Sequence, residues 1–190
     1  GVSIIITIFF ITLSLLSGLE INDIYVLFIL LGSLIAFIFY NKPPAKTFLG
    51  DSGSLFIGWV FGVISLMYAQ KTSFSLSILL PIMALGLPSF DVIFVMLKRF
   101  NDRHGYHFKD RIKSIFSPDN NHLHHLIVSS GFSKNMALIL LYVITIITNL
   151  IALYSYMQNV NFIFGTIVIL ILIFIVRYTF LWKINNRGKI

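Results

Sequence analysis

The sequence contains no cysteine among its 190 residues, so disulfides and thiolate metal sites are excluded. Charge is also scarce. Only 11% of the residues are charged, whereas an average soluble domain has about 25%. The acidic residues number seven, and no two of them are adjacent. Hydrophobic residues make up 57% of the chain, a composition that is typical of an integral membrane protein.

The hydrophobic residues are concentrated in long runs. A bilayer core about 30 Å thick needs roughly 20 apolar residues in a helix. The runs that reach or approach this length cover about residues 2–17, 23–40, 54–70, 75–97, 136–157 and 161–182. They predict an all-α, multi-pass membrane protein with about six transmembrane helices that form a single domain over residues 1–190.

The basic residues predict how the chain is threaded through the membrane. Of the 14 lysines and arginines, 12 lie in the connectors 41–53 and 98–135 and in the tail 183–190. The other connectors contain only Lys71, and Arg177 lies near the inner end of the last run, where we expect it to snorkel. By the positive-inside rule, both termini and both sizeable polar loops are cytoplasmic. Basic residues on the cytoplasmic side, where they meet anionic lipid head groups, account for the net charge of +7. No nucleic-acid partner is therefore predicted.

The fourth apolar run is irregular. Prolines and a glycine predict a broken helix near Pro81–Pro88, because proline deletes a backbone hydrogen bond. A simple kink and a functional break are both compatible with this pattern. Asp91 follows the break, and Lys98 and Arg99 come one to two turns later, so we expect a structural ion pair at the inner membrane interface.

The first polar loop has an unusual composition, NKPPAKTFLGDSGS, at residues 41–54. Its Pro-Pro pair favours an extended entry, and the apolar run resumes at Leu55, so a helix should begin near Asp51 or Ser52. The exposed N-terminus of such a helix favours phosphate. Asp51 is then either the N-cap of this helix or an oxygen ligand for Mg²⁺, which binds through one or two carboxylates plus substrate phosphates.

The second polar loop contains SPDNNHLHHLIVSSGFS, with His122, His124 and His125, which we name the histidine cluster. In a helix, the first and last of these histidines would share a face and His124 would point away from it. A zinc site would need three or four protein ligands, and no cysteine is available to supply one. Phosphate binding or proton transfer fits histidine better, because its pKa lies near neutrality. A solvated cluster without a function is the alternative.

These two segments together resemble a known family. The sequence NKPPAKTFLGDSGSL, followed about 70 residues later by SPDNNHLHHLI, resembles the polyprenyl-phosphate N-acetylhexosamine-1-phosphate transferases of glycosyltransferase family 4. These bacterial membrane enzymes transfer a sugar-1-phosphate from a UDP-sugar to a lipid phosphate such as undecaprenyl phosphate, and release UMP. The resemblance covers residues 1–182 and is greatest to the branch that makes lipid-linked GlcNAc-phosphate.

The resemblance implies roles for individual residues. Asp51 matches the family's magnesium-binding aspartate, so Mg²⁺ (or Mn²⁺) is the implied cofactor. Phe48 matches an aromatic residue that stacks on uracil, and Asn41 matches a polar contact in the nucleotide site. Lys46 lies in the same motif and is implied in substrate binding. The histidine cluster matches a motif at the nucleotide-sugar site and is implied in catalysis. The implied location is the bacterial cytoplasmic membrane, and the implied process is cell-envelope polysaccharide synthesis.

Other features depart from the family pattern. The chain begins at Gly1 without a methionine and lacks the paired acidic residues of an earlier cytoplasmic loop. We therefore expect it to be the C-terminal part of a larger transferase and to be inactive alone. Asn120 stands where the family often has arginine. The basic segment 100–114 is either an interfacial amphipathic stretch or a solvated insertion.

Two further functional classes compete with the transferase. A vestigial or accessory membrane subunit could bind lipid phosphate or UDP-sugar without turnover. A small transporter with a broken helix would have two similar halves and polar residues deep in several spans, and the sequence contains neither. The sequence leaves open the sugar, the polysaccharide pathway and whether the chain forms a homodimer.

Overall fold

A computed structural model describes residues 1–18, 21–42, 44–71, 82–102, 122–158 and 162–187. Within these ranges the regular structure is helical, as the apolar runs predict, and no residue is in a strand. The helices are α1 (Val2–Leu16), α2 (Ile21–Asn41), α3 (Gly50–Lys71), α4 (Gly86–Asp102), α5 (Leu123–Ser129), α6 (Lys134–Met157) and α7 (Phe162–Arg187).

Four of these helices are long and apolar enough to cross a membrane. The spans are Ile24–Asn41, Gly50–Met67, Lys134–Met157 and Gly165–Trp182. Helix α1 is a shorter apolar helix. Five of the predicted runs are thus helical over the residues described, and the chain is an all-α, multi-pass membrane protein. The remaining run, the fourth, begins outside the described ranges and continues as α4.

The helices pack around a core that α1 and α6 connect. Helix α1 contacts α2 and α6, while α4 and α5 both contact α6 and α7. Phe10 of α1 stacks on Phe61 of α3 with ring centroids 5.5 Å apart, and both side chains are buried. Many large apolar side chains on the outer surface, among them Ile29 and Leu66, are exposed. Apolar side chains can face outward in this way because lipid surrounds a membrane protein.

Most buried hydroxyl groups in the core hydrogen-bond to their own helix. Ser14 donates to the Phe10 carbonyl at 2.7 Å, and Ser65 donates to the Phe61 carbonyl at 2.6 Å. These bonds satisfy the hydroxyls without a partner helix, which matters because an unpaired polar group inside a membrane costs several kcal/mol. The side-chain amide of Asn149 in α6 differs from these hydroxyls, since neither its nitrogen nor its oxygen has a hydrogen-bond partner in the structure described.

The interruption of the fourth run is visible in its described part. Residues 82–84 are helical, Leu85 is a turn, and α4 begins at Gly86. Pro88 has no N–H to donate to the carbonyl of residue 84. The next helical hydrogen bond is the one that the Ser89 N–H donates to the Leu85 carbonyl at 3.0 Å. The predicted break is therefore present at Leu85. Pro81, Asn120 and most of segment 100–114 lie outside the described residues.

Close packing also brings the segment before α4 against α6 and α7. A Cβ on Gly165 would lie 2.6 Å from Ser155 Oγ and 2.8 Å from Met83 Cε, so only glycine fits without movement. Gly86 has Ile169 of α7 as a similar close neighbour, at 3.3 Å. This packing holds the start of α4 beside α7 and so brings Asp91 of α4 near the residues of the last helix.

Candidate functional site

The loop between α2 and α3 folds back onto the end of α2. The backbone N–H groups of Lys46 and Thr47 donate to the Tyr40 carbonyl at 2.8 and 3.3 Å. Asn41 Nδ2 donates to the Thr47 carbonyl at 3.1 Å. Asn41, which the resemblance implies in nucleotide contact, therefore holds the loop in shape. The side-chain oxygen of Asn41, Oδ1, accepts no described hydrogen bond and is available to a ligand.

Helix α3 begins at Gly50, one residue before the predicted start. The φ angle of Gly50 is 65°, in the left-handed region that glycine adopts readily. Asp51 lies in the first turn of the helix and is exposed. Because the helix already includes Asp51, the N-cap alternative for this residue is wrong. A carboxylate here instead lies beside the positive end of the helix dipole, where free N–H groups attract anions.

Two of the predicted substrate-binding side chains in the loop between α2 and α3 are exposed. Phe48 is 78% exposed and Lys46 is exposed as well. A phenyl ring so far out of the core is available to stack on a ligand. The roles of Phe48 and Lys46 in substrate binding nevertheless stay predictions.

The histidine cluster lies at the start of α5. His122 precedes the helix as its N-cap, with extended backbone angles of −61° and 149°. The ring of His124 lies 6.1 Å from that of His122 and 4.0 Å from that of His125, centroid to centroid. The expectation that His124 points away from the other two rings is therefore wrong. Helical spacing does not apply to His122, because the helix begins only at Leu123.

The rings influence the protonation of His124. Partial burial lowers the pKa of His124 below its ordinary value, and the positive charges of His125 and His122 lower it further. Asp91 acts in the opposite direction but does not reverse the shift. The folded protein therefore favours the neutral imidazole of His124 more than water does.

Asp91 connects the histidine cluster to the transmembrane helices. Its Oδ1 accepts hydrogen bonds from Arg177 Nη1 at 2.7 Å and from the Leu123 N–H at 2.9 Å. Its Oδ2 lies 3.0 Å from His122 Nδ1. The side chains of Asp91 and Arg177 are only 16% and 6% exposed, so this is a largely buried ion pair.

The partners of Asp91 differ from those expected. An ion pair was predicted from the nearby Lys98 and Arg99, but the carboxylate pairs with Arg177 from α7 instead. Arg177 was expected to snorkel to the interface, and this expectation is also wrong, because the side chain turns inward. Its guanidinium carbon lies 5.2 Å from the centroid of the Phe94 ring as well. A lone arginine in one apolar run and a lone aspartate in another were the sequence signal for this pair.

The two motif regions border the same cavity. A cavity of about 380 Å³ is lined by Leu49 and Ser54 from either side of Asp51, and by Asp91 and His124. Its other walls are mainly apolar and include Ile6, Ile57 and Phe61. Of the seven predicted site residues, only His124 lines this cavity.

The described residues near the loop and the histidine cluster offer few candidate metal ligands. In the described ranges no three histidine, aspartate or glutamate side chains are grouped so that they could hold a metal ion. A closed zinc site needs three or four protein ligands. Asp51 offers one exposed carboxylate, which fits Mg²⁺ because this ion often uses one or two carboxylates together with substrate phosphates.

Comparison with known proteins is consistent with the motifs. Residues 1–69 match the model of glycosyl transferase family 4. Matches to curated proteins extend beyond these residues and carry the names of sugar-phosphate transferases. The chain belongs to glycosyl transferase family 4.

Several relatives carry specific names. The chain is 33% identical over 138 residues to the probable undecaprenyl-phosphate N-acetylglucosaminyl 1-phosphate transferase of Bacillus subtilis, a match that covers 73% of the chain. It is 29% identical over 178 residues, 94% of its length, to the undecaprenyl-phosphate alpha-N-acetylglucosaminyl 1-phosphate transferase of Thermotoga maritima. The phospho-N-acetylmuramoyl-pentapeptide-transferase of Nautilia profundicola is 32% identical over 68% of the chain.

The chain spans only part of each relative. The matched regions are 36% of the Bacillus subtilis protein, 33% of the Nautilia profundicola protein and 53% of the Thermotoga maritima protein. No solved structure matches the chain significantly.

The histidine cluster generates a prediction about pH. We expect His124 to titrate below its ordinary pKa, and the substitution His125→Gln to move this pKa upward by removing a neighbouring positive charge. Because the pKa of His124 is lower in the folded than in the unfolded protein, protonation favours the unfolded state. This effect is absent above the ordinary histidine pKa, and the free energy of unfolding decreases as the pH falls through that value. Histidine-selective ¹³C and ¹⁵N NMR titration of the protein in nanodiscs measures both shifts.

Ser129→Ala, at the exposed end of the same short helix, is the matched control and should leave the titration of His124 unchanged. A His124 that titrates at or above the ordinary histidine pKa in the native protein would contradict the arrangement of the rings.

Proposed function

We propose that this chain forms part of a transferase that moves GlcNAc-1-phosphate from UDP-GlcNAc to undecaprenyl phosphate and releases UMP. One observation carries the proposal: Leu49 and Ser54, which flank Asp51, and His124 of the histidine cluster are far apart in sequence and line one cavity. The names of the Bacillus subtilis and Thermotoga maritima relatives support the acceptor and the sugar. The UDP donor rests on the resemblance of the two motifs.

The reaction sets a clear electrostatic demand. An oxygen of the lipid phosphate attacks the phosphorus that carries the sugar, a new P–O bond forms, and the bond to the UMP phosphate breaks. Two anions must approach each other, so catalysis depends on positioning and on neutralising charge. The N–H groups at the start of α3 and the basic side chain of Lys46 provide positive potential beside the loop. The histidine cluster supplies groups that bind phosphate or transfer a proton.

Mg²⁺ (or Mn²⁺) is part of the proposal. When bound, such an ion neutralises phosphate charge. Asp51 would supply one oxygen ligand, and substrate phosphates would supply others. Phe48, exposed at the end of the loop, would stack on the uracil ring, and the free carbonyl of Asn41 would contact the nucleotide.

The proposed setting is the bacterial cytoplasmic membrane, in the synthesis of a cell-envelope polysaccharide. The distribution of basic residues supports an orientation with both termini and the loops 41–53 and 98–135 in the cytoplasm. A UDP-sugar made in the cytoplasm would then reach the loop and the histidine cluster directly. The proposed partners are the UDP-sugar, the polyprenyl phosphate and the bilayer.

The direct test is a chimera in which this chain replaces the matched part of the Bacillus subtilis relative. Reconstituted with undecaprenyl phosphate and UDP-GlcNAc, the chimera should release UMP when Mg²⁺ is present. Asp51→Asn should lower this rate on the order of 100- to 1000-fold, the scale for loss of one preorganised electrostatic contact to a reacting group. Membrane insertion should be unaffected, because Asp51 is exposed. The measurement is the initial rate of UMP release.

Asp23→Asn is the matched control, since residue 23 is in the first turn of α2 whereas the loop that contains Phe48 follows the last turn, and it should keep the activity of the chimera. A chimera that binds UDP-GlcNAc but releases no UMP would favour the accessory subunit over the transferase. Near-normal turnover by Asp51→Asn would remove Asp51 from the site.

Phe48 gives a separate prediction about the nucleotide. Stacking of an aromatic side chain on a nucleobase contributes about 1–3 kcal/mol. Phe48→Ala in the chimera should therefore weaken UDP-GlcNAc binding about 5- to 100-fold, while Phe48→Tyr keeps the ring and should have little effect. Isothermal titration with UDP-GlcNAc gives the affinities. Leu55→Ala, another exposed apolar side chain close in sequence, should not change them.

Equal affinities for the native chimera and Phe48→Ala would assign the exposed phenyl ring to lipid contact instead of nucleotide binding.

A further inference from the structure

The carboxylate of Asp91 holds one specific histidine of the cluster. Its Oδ2 lies 3.0 Å from His122 Nδ1, and its Oδ1 accepts the N–H of the next residue, Leu123, at 2.9 Å. The side chain of His122 and the backbone that follows it are thus fixed by the same carboxylate. Asp91 also replaces the missing cap of α5, because the N-cap residue His122 makes no side-chain cap bond of its own.

This geometry determines which ring nitrogen carries hydrogen. An ionised carboxylate only accepts hydrogen bonds, so the Nδ1 of His122 that faces it must be the donor. In the neutral ring, the lone pair is then on Nε2. A histidine in water exchanges between both tautomers, whereas a partner at one nitrogen selects one of them.

Arg177 provides the charge that keeps this arrangement in place. Its guanidinium donates to Oδ1 of Asp91 at 2.7 Å, the atom that also accepts the Leu123 N–H. The other oxygen is thereby left to His122. A largely buried carboxylate without this cation would carry an uncompensated charge, so Arg177 allows Asp91 to remain a hydrogen-bond acceptor beside the histidine.

We propose that Asp91 is a positioning residue that, supported by Arg177, fixes His122 in the Nδ1–H tautomer and so leaves Nε2 as the nitrogen that accepts a proton in the proposed transfer. This inference rests on the proposed function, and it adds a role that neither sequence motif contains. Nε2 takes the proton from the oxygen of the lipid phosphate as that oxygen attacks, and the resulting imidazolium keeps its Nδ1–H on Asp91. The proton moves from phosphate oxygen to nitrogen, and no other group is consumed.

The first test reads the tautomer and needs no turnover. Histidine-selective ¹⁵N NMR of the native chain in nanodiscs should show His122 protonated at Nδ1 and unprotonated at Nε2. Asp91→Asn should shift it toward the Nε2–H form, whereas the matched change Asp51→Asn should leave it in the Nδ1–H form. Arg177→Lys, which keeps the positive charge, should retain the native tautomer better than Arg177→Gln.

The second test uses the Bacillus subtilis chimera. Asp91→Asn should lower kcat about 10- to 100-fold, the range found when a residue that orients a metal-binding histidine is replaced, with little change in KM for UDP-GlcNAc. A native His122 in the Nε2–H form, or a tautomer that Asp91→Asn leaves unchanged, would overturn the proposal even if Asp91→Asn lowered kcat. A chimera without any turnover would contradict the proposed function instead, and the NMR result would still decide whether Asp91 sets the tautomer.

Discussion

The structure depends on one buried carboxylate placed among apolar helices. Asp91 would destabilise the protein if it were alone, because a charge removed from water costs several kcal/mol even after the protein relaxes. It is instead held by donors from two other elements, Arg177 in α7 and His122 with Leu123 at the start of α5. The short helix α5 buries Leu123, Leu126 and Ile127 in the core, and the carboxylate fixes the end of this helix at which the histidine cluster lies.

That constraint explains how two polar segments can act together at a membrane. The loop before α3 is ordered by backbone bonds to the end of α2 and by Asn41. The histidine cluster is ordered by Asp91. Both segments border the same cavity, whose walls are otherwise mainly apolar. Charged ligands bound between them would lie in a medium of lower dielectric than water, where each positive group and dipole acts more strongly on phosphate.

The sequence predicts the helices and the end of the loop between α2 and α3 well. Apolar runs of roughly 20 residues leave the backbone no alternative to a helix in lipid, and the point where apolar residues resume places the start of α3 within one residue. The ion pair could not be derived in the same way. Asp91 and Arg177 are 86 residues apart, and periodicity does not reveal which helices are neighbours. The arrangement of the histidine rings was also missed, because it depends on His122 lying outside α5, a boundary that the pattern HLHH does not mark.

The central claim is that Asp91 and Arg177 stabilise each other and thereby hold the site. A double-mutant cycle with Asp91→Asn and Arg177→Gln, in which the free energy of unfolding of the chain is measured in detergent, tests it most directly. Each single change leaves a partner buried without its counter-charge and should destabilise the protein by about 3–5 kcal/mol. The double variant should lose less than the sum, with a coupling of about 0.5–3 kcal/mol. A parallel cycle of Asp91→Asn with Lys134→Gln, at the exposed start of α6, should give no coupling. Additive effects of Asp91→Asn and Arg177→Gln would contradict the account.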